Sequence, residues 1–326
     1  MEASGNRPAG SALAATLVAA ALLALGAGGI ESASAARRVA PNDRGFAAQW
    51  QLATDRAMGA RSAWRITTGG DAVVAVLDTG ADLAHPDLAP NLWTNPGEVA
   101  GNGVDDDGNG YTDDVHGYDF ADADADPADD NGHGTHVAGV IAARGHNGIG
   151  TTGVAWRARL MIVRVLGSDG SGEVADVASG IRYAVANGAR VINLSMAGPD
   201  TAPELETAVA EALAAGVVVV ASAGNTGEDL DTTPAYPAAS AGGAPVAVAS
   251  TDATGALAED SSFGVRTVDL SAPGESIAST ALGGGYETRS GTSQAAAQVS
   301  GALALMLGAR PTASGDALRA ALGGGA

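Results

Sequence analysis

The sequence predicts an α/β fold of three layers, with a mostly parallel central sheet and helices on both faces. Two observations carry this. Short, continuous apolar runs such as Val73-Val74-Ala75-Val76-Leu77 have the pattern of strands buried on both faces, as in a parallel sheet. These runs alternate with longer segments of helical period, and strand–helix alternation is the signature of parallel sheets covered by helices. The length of 326 residues and a hydrophobic content of 46% allow a sizeable core.

In chain order, Arg7 precedes an apolar Ala/Leu-rich run over residues 11–30, and Ala33-Ser34-Ala35 offers a small-x-small cleavage site. This is a signal-peptide layout over 1–35, removed after export. The alternative is an uncleaved segment that tethers the protein to a membrane. Residues 36–48 read as a short lead, 49–322 as one folded domain and 323–326 as a tail. A short helix is expected over 56–64, then a strand over 71–77 that ends on Asp78-Thr79-Gly80. From 94 to 130 Gly, Asn and Asp dominate; 105–130 alone holds eleven Asp, which reads as an acidic surface insertion outside the core. Helices follow over 133–143, 173–187 and 204–215, strands over 160–166, 191–194, 217–221 and 246–249. The helix over 173–187 presents Val174, Val177, Ile181 and Val185 on one face; that over 204–215 presents Leu205, Val209 and Leu213. From Thr292 an Ala-rich run makes a buried helix ending near Gly308, and a last short helix covers 316–322.

Charge and composition exclude some functions. A net charge of −20 leaves no basic patch for nucleic acid, and all 17 basic residues are Arg. Cysteine is absent, so disulfides, thiol nucleophiles and Cys-ligated metals are excluded. A monomer without membrane contact after signal cleavage is expected.

Ligands of open parallel sheets sit outside the carboxyl ends of the strands. Asp78 and Asn225 follow strands, while His133 and Ser293 open helices, so all four are expected on one sheet edge. A serine hydroxyl is a poor nucleophile at neutral pH and needs a base, and the base needs a group that fixes its tautomer. Histidine and a buried carboxylate supply these. The order Asp78, His133, Ser293 is that of subtilisin.

On these residues the chain resembles the subtilisin-like serine proteases (subtilases) from about 49 to 322. Val76-Leu77-Asp78-Thr79-Gly80 with His85-Pro86-Asp87-Leu88, His133-Gly134-Thr135-His136-Val137-Ala138-Gly139, and Gly291-Thr292-Ser293 with Ala295-Ala296 match the three signature stretches. The resemblance implies a secreted serine endopeptidase acting on polypeptides through an acyl-enzyme. Asp78, His133 and Ser293 would be its triad, and Asn225 with the Ser293 N–H its oxyanion holders. Gly170, Ser171 and Gly172, and Ser195, Met196, Ala197 and Gly198, resemble the two segments that pair with substrate backbone by strand addition. His136 reads as a packed helix histidine. Gln294, Ala297 and Gln298 depart from the family's usual Met, Pro and His, and Ala197 stands where glycine is usual. Residues 36–48 leave no room for the family's folding-aiding pro-domain, so folding is expected to proceed unaided or with metal.

Calcium is the expected structural cofactor. Asp105, Asp107, Asn109, Gly110 and Asp113 match the first, third, fifth, sixth and ninth positions of a calcium loop, with His116 in place of the closing Glu. The resemblance implies a second site at Asp87 and Asn147. Two other readings stand beside the protease. Asp78-Thr79-Gly80 is also the tripeptide of aspartic proteases, which need two such carboxylates on an all-β fold; this chain has one copy. A catalytically silent subtilase-fold binding or structural module is the second.

Overall fold

A computed structural model describes residues 39–54, 57–240 and 245–324; the expected signal peptide lies outside these. Seven strands form one parallel sheet: β1 (Val73–Asp78), β2 (Gly117–Asp119), β3 (Arg159–Arg164), β4 (Val191–Leu194), β5 (Val218–Ser222), β6 (Val246–Thr251) and β7 (Leu270–Pro273). Their order across the sheet is β2-β3-β1-β4-β5-β6-β7. Asp78 pairs with Arg164, and Leu77 with Leu194, so these strands finish together at one edge.

The period-2 alternation of the strands sorts their side chains into two cores. Val74, Val76, Leu160, Ile162, Val191, Val218 and Val220 face one way. They pack against α3 (His133–Ala142), α6 (Thr292–Ala309) and α7 (Gly315–Gly324), with the short α1 (Trp50–Ala53) and α2 (Ala60–Ala63) closing the margin. Ala75, Leu77, Met161, Val163, Ile192 and Leu194 face the other way, onto α4 (Val174–Ala186) and α5 (Pro203–Ala214). This is the expected three-layer arrangement. Both faces of β1, β3, β4, β5 and β6 are almost wholly buried, which is why their runs are so nearly continuously apolar. Helix α6 is buried on every side from Thr292 to Leu307, so its small Ala and Gly residues serve close packing rather than amphipathicity.

The structure departs from the sequence reading in four places, the first being β7 (Leu270–Pro273), an edge strand that was not expected. The 94–130 segment is not wholly superficial: it supplies β2 as an edge strand of the sheet, and Asp114 and Asp119 are buried. Arg164 answers the second of these, with its guanidinium 2.5 Å from Asp119 and 2.6 Å from Asp122. Tyr183 on α4 donates to Asp114 at 2.5 Å and stacks edge-on with Tyr111, which pins the insertion to the body. The helix expected over 56–64 shrinks to Ala60–Ala63, because Gly59 enters it with a φ of 66°. An antiparallel hairpin, β8 (Ile277–Ala281) with β9 (Gly285–Arg289), appears before α6 where no strand was expected. Among the described residues no helix is long and apolar enough to cross a membrane.

Candidate active site

The carboxyl edge of the sheet gathers the expected polar groups. Asp78, the last residue of β1, is fully buried. Its Oδ1 accepts the Thr79 N–H at 2.8 Å and lies 2.7 Å from His133 Nδ1. His133 is the first residue of α3, and that helix can approach β1 only because of glycine. A Cβ on Gly134 would come within 2.1 Å of the Gly80 carbonyl oxygen. The imidazole is a quarter exposed, so it is shielded by the fold yet reachable from solvent.

Burial alone would lower the pKa of His133. The charge and hydrogen bond of Asp78 outweigh it, Asp129 adds to them and Arg289 opposes, and the net shift is upward from 6.5. With Nδ1 held by Asp78, the free Nε2 is the basic nitrogen. His136 behaves as the sequence reading expects. It is buried, its Nε2 lies 3.0 Å from the Ile277 carbonyl, and burial drives its pKa down to about 4.

Ser293 lies in the first turn of α6, where N–H groups have no intrahelical partner and the dipole favours negative charge. Gly291 enters that turn at a φ of 146°. The Ser293 hydroxyl donates to the Ser195 carbonyl at 3.1 Å, and Ser195 Oγ returns a bond to the Ser293 carbonyl at 2.9 Å. Ser195 is in turn held by Asn193 Nδ2 at 2.9 Å, and Asn193 Oδ1 accepts the Ser300 hydroxyl at 2.8 Å. Sequence reasoning missed Asn193 and Ser300. A polar residue inside each of two buried apolar segments was the signal that could have found them.

Asn225 stands three residues beyond β5. Its Oδ1 accepts the Thr292 N–H at 2.8 Å and the Thr292 hydroxyl at 3.0 Å. That hydroxyl accepts the Gly224 N–H at 3.1 Å, so its own proton is committed to Asn225. The amide is therefore oriented by donors on its oxygen, and its NH₂ takes no part in those bonds.

Beside these groups lies a cavity of about 310 Å³. Gly170, Ser171 and Gly172 line one wall; Met196, Ala197 and Gly198 line the other, with Leu166, Val177 and Leu205 giving an apolar floor. Six of the seven residues expected to meet substrate thus border one cleft. The seventh, Ser195, is buried beneath Ser293. Tyr236 and Pro237, joined by a cis peptide bond, complete the rim.

Two acidic clusters lie apart from the cleft. In the insertion, ligand atoms of Glu98, Asp105 and Asp107 lie within 4.8 Å of one another. Asp113 is turned away and accepts the Asn102 and Gly103 N–H groups at 3.1 and 2.9 Å. Asn109 hydrogen-bonds Asp107 and Asp114 through its amide nitrogen. Glu98 was not anticipated, since it precedes the loop and joins it only because the chain doubles back. At the second cluster Asp87 is buried, with Oδ1 accepting Asn147 Nδ2 at 2.7 Å and Oδ2 accepting Tyr286 Oη at 2.8 Å. Asp43, also buried, accepts the His146 and Asn147 N–H groups at 2.7 and 3.0 Å. Burial raises the pKa of Asp87 against the pull of these hydrogen bonds.

Comparison with known proteins gives the same reading. The model of the subtilase family matches residues 69–324. Thermitase from Thermoactinomyces vulgaris is 40% identical over 282 residues, covering 86% of this chain and 90% of that protein. The major intracellular serine protease of Bacillus subtilis is 43% identical over 241 residues, 73% of this chain and 69% of its own. Among solved structures, a cold-adapted subtilisin-like serine proteinase superposes with a TM-score of 0.66 at 32% identity, over 87% of this chain and 90% of that one. A protease from Pseudoalteromonas arctica gives a TM-score of 0.74 at 30% identity, over 86% and 91%. This chain belongs to the subtilase family and is a serine endopeptidase of the subtilisin type.

Proposed function

We propose that this protein is exported as a monomer and cuts unfolded polypeptides with Ser293 as nucleophile, His133 as general base and Asp78 as the group that orients and charge-balances the base. The observation that carries this is the 2.7 Å contact between His133 Nδ1 and a fully buried Asp78, on the sheet edge where Ser293 opens α6. A peptide laid along 170–172 and 195–198 adds a strand to exposed backbone, which favours extended, unfolded substrates. The Ser293 hydroxyl turns from the Ser195 carbonyl to His133 Nε2, gives up its proton there and adds to the scissile carbonyl. The Asn225 NH₂ and Ser293 N–H hold the resulting oxyanion. His133 then protonates the leaving amine, and water enters by the same base to release the acid and restore Ser293.

His133 must be neutral to act. Because its pKa is raised, kcat/KM on an unfolded protein should climb as pH rises through a value above 6.5 and stay high beyond it. An acid limb centred below 6 would contradict the Asp78–His133 arrangement. The signal-peptide part of the reading is checked by N-terminal sequencing of the exported protein, expected to begin after Ala35.

Both acidic clusters have the donor chemistry of a hard, oxygen-bound cation. Asp43 and Asp87 are buried carboxylates in one loop region, and Thr151 Oγ1 beside them is buried with no partner among the described residues. We propose that Ca²⁺ would be held there by Asp87, Asp43 and Asn147, with a weaker site at Glu98, Asp105 and Asp107. Bound calcium would supply only structural charge neutralisation. Excess chelator should lower Tm by roughly 5 °C, and Asp87→Asn should remove most of that response. An identical Tm with and without chelator removes both sites.

A further inference from the structure

We propose that Asp129 is a positioning residue for this reaction: its carboxylate ties the turn after Asp78 to the first turn of α3, and so fixes the His133 ring against Asp78. The proposal rests on the reading of His133 as the base. The geometry lies in the donors at the start of α3 and in the turn after Asp78. Asp129 Oδ1 accepts the Thr79 hydroxyl at 2.9 Å and the Asn131 and Gly132 N–H groups at 3.0 and 2.9 Å. Its Oδ2 accepts the Thr135 N–H at 2.8 Å and the Thr135 hydroxyl at 2.6 Å. The Thr79 hydroxyl in turn accepts the Gly134 N–H at 2.9 Å, and Asn131 Oδ1 accepts the His133 N–H at 3.2 Å. The N–H groups of 131, 132 and 135 therefore end on Asp129 itself, that of 134 on Thr79, and that of 133 on a residue Asp129 holds.

A helix start usually takes its cap from the residue just before it. Here Gly132 holds that position and has no side chain to cap with. The carboxylate three residues further back does the work, and its reach extends to Thr79, the neighbour of Asp78. The Asp78–His133 contact joins two elements, β1 and α3, and Asp129 is the side chain that grips both.

Its charge acts on the same ring. The charged groups facing His133 are Asp78 from the end of β1, Arg289 from β9, Asp129 from the preceding loop and His136 from its own helix. Asp78 and Asp129 favour the imidazolium, and Arg289 opposes it. Five donors, acting against the cost of burial, hold the Asp129 carboxyl below its ordinary pKa, so it stays ionised wherever the enzyme works.

Asp129→Asn conserves shape, removes the charge and puts an NH₂ where an oxygen met donors. The expected result is a fall in kcat/KM of roughly 10- to 100-fold, carried by kcat, after active-site titration corrects for unfolded enzyme. The acid limb of the pH profile should move down by about half a unit. A variant with lower Tm but a wild-type acid limb and kcat would show a merely structural brace and overturn the proposal. Should Asp129→Asn fail to fold, Thr79→Val against Thr79→Ser decides. Loss of kcat and a lowered acid limb in the first, restored by the hydroxyl of the second, supports the tie; equal kinetics in the two overturns it. His133→Ala separates this from the underlying reading. If it retains turnover the base assignment is wrong; if it is inactive while Asp129→Asn is unchanged, only the Asp129 assignment is wrong.

Discussion

Ser293→Ala should leave the fold intact and lower kcat by roughly 10⁶-fold, a magnitude taken from subtilisin itself for this substitution. Among the described residues the hydroxyl makes one hydrogen bond, to the Ser195 carbonyl, and the helix around it is packed by its neighbours, so Tm should barely move. What disappears is the nucleophile. His133→Ala should cost about as much, and the double variant no more than either, because a base without a nucleophile has no work to do. Fluorophosphonate labelling separates an active enzyme from a silent module of the same fold: wild type should be modified at Ser293 and the alanine variant should not. An alanine variant that kept about a thousandth of the activity would place the nucleophile elsewhere.

Asn225→Ala should lower kcat by about 10²–10³ with little change in KM, the range subtilisin shows for its own oxyanion asparagine. The local reason is directional. Two donors of Thr292 hold the Asn225 oxygen, so the NH₂ is aimed before substrate arrives. Its charge-stabilising bond strengthens only as the carbonyl oxygen becomes an alkoxide, which makes it a transition-state interaction. The truncation also strips Thr292 of an acceptor, so a loss of about 1 kcal/mol of stability should accompany the kinetic effect. A raised KM with unchanged kcat would instead make Asn225 a ground-state substrate contact.

Much of this architecture is legible in the sequence because parallel strands buried on both faces leave an unbroken apolar run. Val191–Leu194 is read to the residue, and α3 and α6 to within one. The Asp78–His133 contact and the residues that line the cleft follow from which residues end strands and which open helices. The misses share a cause: long-range pairing overrides local composition. Gly117–Asp119 sets one strand-favouring residue, Tyr118, between two that are depleted in strands, and it becomes a strand only through the backbone of β3. The hairpin of Ile277–Ala281 and Gly285–Arg289 is hidden by Ala, Ser and Thr on one arm and charged residues on the other. Asp43 and Glu98 were not visible as members of the acidic clusters, because their partners lie far along the chain or across a fold-back. Asp113 matched a loop pattern that the backbone then used to close the 102–103 turn.

The burial of α6 ties the proposed nucleophile to the integrity of the core. That segment comes late in translation, yet it fills the space between α3 and the centre of the sheet. A nascent chain emerging from the N-terminus displays its carboxylate and imidazole long before any hydroxyl can join them. A chain cut before residue 292 lacks Ser293 and leaves bare the faces of α3 and the sheet that α6 covers.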